Sequence, residues 1–105
     1  MGTKGRVILI IRTDVDPDIE EEFNRWYNEE HIPNLLDVPG VLSASRGINL
    51  NKGPKYIALY EHESIDVQNS QAYKQAIETD WTLRIRPHLR NVTRETYQVV
   101  SWNRA

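Results

Sequence analysis

The chain has 105 residues, and 13 Lys and Arg against 15 Asp and Glu leave a net charge of −2. That length suits one domain, 1–105, with a modest core, and the balanced charge, without a long run of either sign, argues against nucleic acid or an anionic membrane as partner. The absence of cysteine excludes disulfides, thiolate metal sites and a cysteine nucleophile together. The longest apolar stretch, residues 7–11, is too short to cross a bilayer and lacks a signal-peptide layout, so the expected location is cytoplasmic.

Residues 1–5 read as a frayed terminus. Residues 6–13 predict a strand, because Val-Ile-Leu-Ile-Ile supplies the branched side chains that a pleated surface favours. Asp14-Val-Asp-Pro-Asp then offers cap residues and a proline near a first helical position, so a helix should begin near 17. It should stop near 32, since Pro33 lacks an amide hydrogen and biases its predecessor away from helical angles. Residues 34–38 suit one further turn, and Pro39-Gly40 punctuates the chain.

Strands over 41–50 and 55–63, joined by the Asn51-Lys-Gly-Pro turn, predict an antiparallel hairpin. Ser64 is placed to cap a helix over 65–77 with Ala72, Tyr73, Ala76 and Ile77 as its apolar face. Residues 79–89 read as a short helix or ordered loop ending at Pro87, and 91–102 as the last strand. The order β-α-β-β-α-β is the ferredoxin-like split motif, an α+β fold with a four-stranded antiparallel sheet. The first strand is apolar on both faces, with Val7, Leu9 and Ile11 on one and Ile8 and Ile10 on the other. Two helices cover one face only, so the economical way to bury the other is a second copy packed sheet against sheet, and a homodimer is expected.

The densest chemistry lies in Phe23-Asn-Arg-Trp-Tyr-Asn-Glu-Glu-His-Ile-Pro. At 100° per residue, Ile19, Phe23, Trp26 and Glu30 share one narrow stripe, flanked by Tyr27 and Asn34. A carboxylate centred on an apolar stripe is costly unless paired or used. This segment, with the following Leu35-Leu-Asp-Val-Pro-Gly-Val and the strand order, resembles the EthD-like and HapK-like (REDY-like) branch of the dimeric α+β barrel superfamily. The resemblance implies a dimeric barrel and a small-molecule pocket between the sheet and the first helix. Relatives of this fold include lactone isomerases, polyketide cyclases, cofactor-free monooxygenases, dehydratases and haem-degrading enzymes, so it implies no single reaction.

His31 is the leading catalytic candidate, because an imidazole titrates near neutral pH; a position at a helix C-terminus would favour its protonated form. A helix-capping histidine is the alternative. Glu30 could orient the imidazole or titrate with a raised pKa; otherwise it pairs with Arg46 or Arg94, or the helix turns it to solvent. Tyr27 is the second candidate partner, beside His31 at the stripe's edge. Phe23 and Trp26 read as packing and Tyr27 as pocket wall, with Trp26 also counted as a substrate-binding residue. Asn24 reads as a solvated helix face.

On the third strand, Tyr56, Ala58, Tyr60 and His62 share one face and Ile57 and Leu59 the other. The apolar pair is expected beneath the helices, the mixed side toward a dimer centre or cavity mouth, which makes Tyr60 (as a substrate contact) and His62 further candidates, with an exposed edge position the favoured reading of His62. Trp81, Arg84 and Arg86 could form a lid over an acidic substrate, since guanidinium forks grip carboxylates; a solvated basic turn is the other reading. Arg94 alternates with Val92, Thr96 and Val100, which aims it at a semi-buried face in need of an anion. The three histidines are far apart in sequence and no His-x-x-x-His pair occurs, so neither metal nor cofactor is expected. The resulting expectation is a cofactor-free enzyme of proton transfer (isomerisation, cyclisation or a related elimination) on an organic acid, aromatic or polyketide-like compound. An oxygenase, cofactor-free or haem-dependent, and a non-catalytic binding protein are the rivals.

Overall fold

A computed structural model describes residues 5–101; the expectations for residues 1–4 and for Trp102 lie outside it. Four strands, β1 (Val7–Val15), β2 (Val41–Ile48), β3 (Tyr56–His62) and β4 (Leu89–Gln98), form one antiparallel sheet in the order β2-β3-β1-β4. Helices α1 (Glu20–Trp26) and α2 (Ile32–Leu36) follow β1, and α3 (Gln71–Ile77) and α4 (Asp80–Ile85) follow β3. This is the ferredoxin-like α+β fold.

Register decides which side chains meet the helices. Val7, Leu9, Ile11 and Thr13 pair with His62, Tyr60, Ala58 and Tyr56, while Ile8 and Ile10 pair with Glu61 and Leu59. Because side chains alternate across a sheet, the first set shares one face and the second the other. The core lies on the first face, where Leu9, Phe23, Leu35, Tyr60 and Ile85 are essentially inaccessible. The face expected to be mixed is therefore the helix-covered one, and the Ile57/Leu59 face is open. His62, expected at an exposed edge, is fully buried, since β3 is an inner strand and large aromatics fill the space under the helices better than two aliphatic chains do.

The second helix is divided. Ser64 caps only a 3₁₀ turn over Ile65–Asn69, and Ser70 recaps the chain by accepting the Tyr73 amide at 3.1 Å. A second serine with an extended backbone splits the expected helix, and Ala72 ends exposed. Thr79 caps α4 in the same way, from the Thr82 amide at 3.1 Å, and a 3₁₀ turn over Arg86–His88 runs through Pro87 to β4. Gly40 has φ +93°, and a Cβ there would lie 2.5 Å from Val67 Cγ2, so the Pro39-Gly40 turn has no room for another residue.

Pro33 does not stop the first helix. The chain passes from α1 through a π turn, Tyr27–His31, into α2, with the Ile32 amide bonded to the Tyr27 carbonyl five residues back. The carbonyl that Pro33 cannot serve falls on the exposed Asn28–Glu29 side, where solvent can reach it. Wide turns of this kind re-aim side chains and are frequent at functional sites.

Candidate active site

The π turn changes which residue follows Trp26 down the core side of the helix. In an α-helix it would be Glu30, four residues on; in a turn closed over five it is His31. The rings of Trp26 and His31 stack at 4.3 Å between centroids and 22° between planes, and Tyr27 meets the imidazole edge-on at 5.2 Å. Glu30 is turned aside to the start of α4, where its carboxylate accepts the Thr79 hydroxyl at 2.6 Å. It pairs with neither Arg46 nor Arg94 and does not hold the imidazole.

His31 is 8% exposed and its Nδ1 has no hydrogen-bond partner among the described residues. It does not cap the helix. Burial, then the charge of Arg86, lowers its pKa to about 4, so the ring is neutral at pH 7. The expectation of a protonated form fails for two reasons: the helix continues past it to Leu36, and desolvation outweighs a helix-end dipole.

The imidazole lines a cavity of about 180 Å³ between the helices and the β1–β4 edge of the sheet. Ile11, Trp26, Ile77, Leu89 and Val92 supply the apolar wall, and Tyr27, His31, Tyr73, Thr82, Arg86 and Arg94 the polar groups. A cavity of about 150 Å³ can hold one benzene ring, so this one suits a single substituted ring or a conjugated acid of that size. Trp26 is fixed at its far end by donating Nε1–H to Thr82 Oγ1 at 3.1 Å. Tyr27 is held from the opposite side by Arg46, whose guanidinium lies 4.4 Å above its ring. Arg46 donates to Asn24 Oδ1 at 2.7 Å and to Asn28 Oδ1 at 3.2 Å, which ties the π turn to β2. Asn24 is therefore half-buried and bonded, and does not form a solvated face.

The other candidates divide between cavity and surroundings. Arg86 reaches the lining while paired with Glu78 at 3.3 Å. Arg94 shares the face of Ile11, its partner in register, and lines the cavity, but on the edge strand β4 it is exposed and not semi-buried as expected; the anionic partner expected for it is absent among the described residues, and its Nη2 donates to the Tyr73 hydroxyl at 3.4 Å. Arg84 is exposed over a separate shallow cleft with Leu83 and Pro87. Trp81 is spent on Glu22, to which it donates Nε1–H at 3.0 Å, under Arg25. In a six-residue helix, positions 81 and 84 lie on its outer side while 82 and 85 face inward. Tyr60 is buried behind the lining and its hydroxyl has no hydrogen bond, although that of Tyr27 is close enough to influence it. Burial raises the pKa of both tyrosines.

Two lining residues escaped sequence reading. Tyr73 looked like one apolar position of a helix, and Thr82 carried no signal. The serine preceding α3 fixes which face of that short helix points down, and this was the available hint for Tyr73.

An antiparallel ferredoxin-like domain with a small mixed cavity between its two layers is the class these features define. The family described as a domain of unknown function, DUF4286, matches residues 6–98, and the chain belongs to it. No curated relative matches the sequence. Among solved structures, it is similar to a Shewanella loihica protein named as a candidate monooxygenase, with 19% identity, a TM-score of 0.68 and coverage of 96% of this chain and 100% of that one. A candidate antibiotic biosynthesis monooxygenase from Caulobacter crescentus gives 18% identity, a TM-score of 0.69 and 93% and 92% coverage. A Mycobacterium tuberculosis protein gives 14%, 0.71 and 93% and 98%. At these identities the likeness is one of fold. No helix of the described residues is long and apolar enough to cross a membrane.

Proposed function

We propose that this protein is a cofactor-independent enzyme that moves a proton within a bound organic acid, aromatic or polyketide-like molecule, with His31 as the base that accepts the proton and returns it. The observation that carries this is a buried, unpaired and neutral imidazole on the wall of a small apolar cavity that also presents two guanidinium groups. A base must be deprotonated before it can act, and the cations stabilise the enolate or phenolate left behind. Isomerisation, cyclisation and elimination all begin with this step, in keeping with the EthD-like and HapK-like resemblance. Oxygenation of the same carbanion is a second reading, supported by the names of the Shewanella and Caulobacter proteins.

The test is a thermal-shift screen of aromatic, dienoic and lactone-type acids, followed by incubation of each hit with the protein in deuterium oxide. A ligand at about 100 times its dissociation constant adds about 2.7 kcal/mol, a visible shift. Proton transfer predicts deuterium entering the ligand at one carbon, detected by NMR. Oxygen uptake in place of exchange selects the second reading, and hits that bind without either change show a binding protein.

We also propose that a second copy covers the open sheet face. Ile8, Ile10, Ile57 and Leu59 form its centre, and Glu61, Tyr97 and the Arg12–Glu95 ion pair surround them. An apolar centre with a charged rim is the pattern of a self-complementary two-fold interface. Light scattering at micromolar concentration should give about twice the chain mass of 12.3 kDa; the chain mass itself would refute the proposal.

A further inference from the structure

The polar groups of the cavity are of unlike kinds, and their placement points to the ligand's own chemistry. Arg94 and Tyr73 make one of them. A guanidinium has donors and no acceptor, so in their 3.4 Å contact the Tyr73 oxygen must accept. Its own O–H is thereby left without an acceptor among the described residues, although the side chain is only 4% exposed and lines the cavity. Among the described residues Arg94 has no carboxylate in ion-pairing range, whereas the other guanidinium of the cavity, that of Arg86, pairs with Glu78. Together, Arg94 and Tyr73 form a cationic donor pair with no anion among the described residues to serve.

His31 is the opposite kind of group. The neutral ring carries one lone pair, its Nδ1 is unpartnered, and the ring packs between Trp26 and Tyr27, which offer it no hydrogen bond. Arg86 sits close enough to disfavour an imidazolium. A proton moving to His31 is thus opposed until the donor atom becomes an anion beside that same arginine. Apart from Tyr27 and Thr82, the rest of the wall is apolar.

Resting on the proposed proton-transfer reading, we infer that the cavity takes a conjugated or aromatic acid with two distinct polar groups: a carboxylate held by Arg94 and the Tyr73 hydroxyl, and an ionisable phenol or enol O–H presented to His31. The step balances simply. The ligand O–H bond breaks, its electron pair stays on oxygen, and the proton bonds to the imidazole. A neutral histidine and a monoanion become an imidazolium and a dianion, with Arg86 and Arg94 as the compensating charges. Tyr73 is a binding residue in this scheme and supplies no proton.

Three probes separate the two groups: 4-hydroxybenzoate, 4-hydroxybenzamide without the carboxylate, and 4-methoxybenzoate without the acidic O–H. Titration by NMR should show 4-hydroxybenzoate binding at least tenfold more tightly than the amide. 4-Hydroxybenzoate should also bind more tightly than 4-methoxybenzoate, because only its O–H can bond to the imidazole lone pair, and His31→Leu should remove that difference. Arg94→Gln should weaken the two benzoates at least tenfold and leave the amide unchanged, with Arg94→Lys restoring part of the loss; a merely structural role would weaken all three alike. Equal affinity for acid and amide, an equal loss of all three in Arg94→Gln, or no binding of any probe at millimolar concentration overturns the inference. Arg94-dependent binding of acids that never exchange or react would uphold the ligand class and refute the proton-transfer reading. Deuterium exchange into a neutral enolisable ketone through His31, with acids unbound, would do the reverse.

Discussion

Replacing His31 by Gln should lower turnover of the protein's substrate by about 10²- to 10⁴-fold while changing its dissociation constant by no more than a few-fold, because a positioned base contributes that much to a proton-transfer step. Glutamine keeps a planar polar group against Trp26 and approximate volume, so the cavity should survive; thermal melting and a titration of the same ligand check this. The informative comparison is Glu30→Gln. Glu30 accepts from Thr79 at the start of α4 and lines no part of the cavity, so its loss should leave turnover within a few-fold. A large effect at Glu30 with a small one at His31 would mean that the straight-helix projection describes the working site better than the π turn does. Equal, modest effects at both would remove the case for a base in this helix.

That comparison also marks where the sequence stopped being legible. Strand count, order and the hairpin were readable because alternation and Gly/Pro punctuation are local signals, and the observed β2 and β3 differ from the expected ranges only at their ends. The orientation of β3 was not readable. Tyr56, Tyr60 and His62 look like a mixed face in one strand alone, and only pairing with Leu9 and Val7 commits them to the helix side. The helix motif brought His31, Trp26 and Tyr27 together at one cavity, but the projection placed them with 3.6-residue geometry. A proline usually stops a helix, yet this chain absorbs it in a turn closed over five residues, and that one-residue shift exchanges Glu30 for His31 at the core. The cavity's far wall depended on a sheet edge and on two short helices recapped by Ser70 and Thr79. Long-range placement of this kind leaves no trace in the spacing of Tyr73 and Thr82, whereas alternation along β4 had already marked Arg94. Arg84 and Trp81 were attractive by type alone; a six-residue helix has room to direct only part of such a cluster inward.

The neutral state of His31 should also be visible as a dependence of stability on pH. A histidine whose folded pKa lies below its unfolded value of about 6.5 binds more protons when the chain unfolds. Its contribution is complete above pH 6.5 and is lost as the pH falls toward the folded value of about 4. From pH 7 to pH 5 that loss amounts to about 2 kcal/mol, a large share of the stability of a small domain. His62 adds to the effect in the same direction, because burial first and Arg94 second lower its pKa as well. Carboxylates respond lower on the scale: Asp14, Glu20 and Glu95 are held below their ordinary range chiefly by hydrogen bonds from Asn91, Lys55 and Arg12, so they favour the folded state until still lower pH. Urea denaturation of wild type and His31→Gln at pH 5, 6 and 7 isolates the imidazole, since every other group is common to both. The difference between the two should change by about 2 kcal/mol across that range, with wild type losing ground as the pH falls. Parallel curves would mean that His31 ionises as freely in the folded chain as in the unfolded one, against the desolvation that its burial imposes.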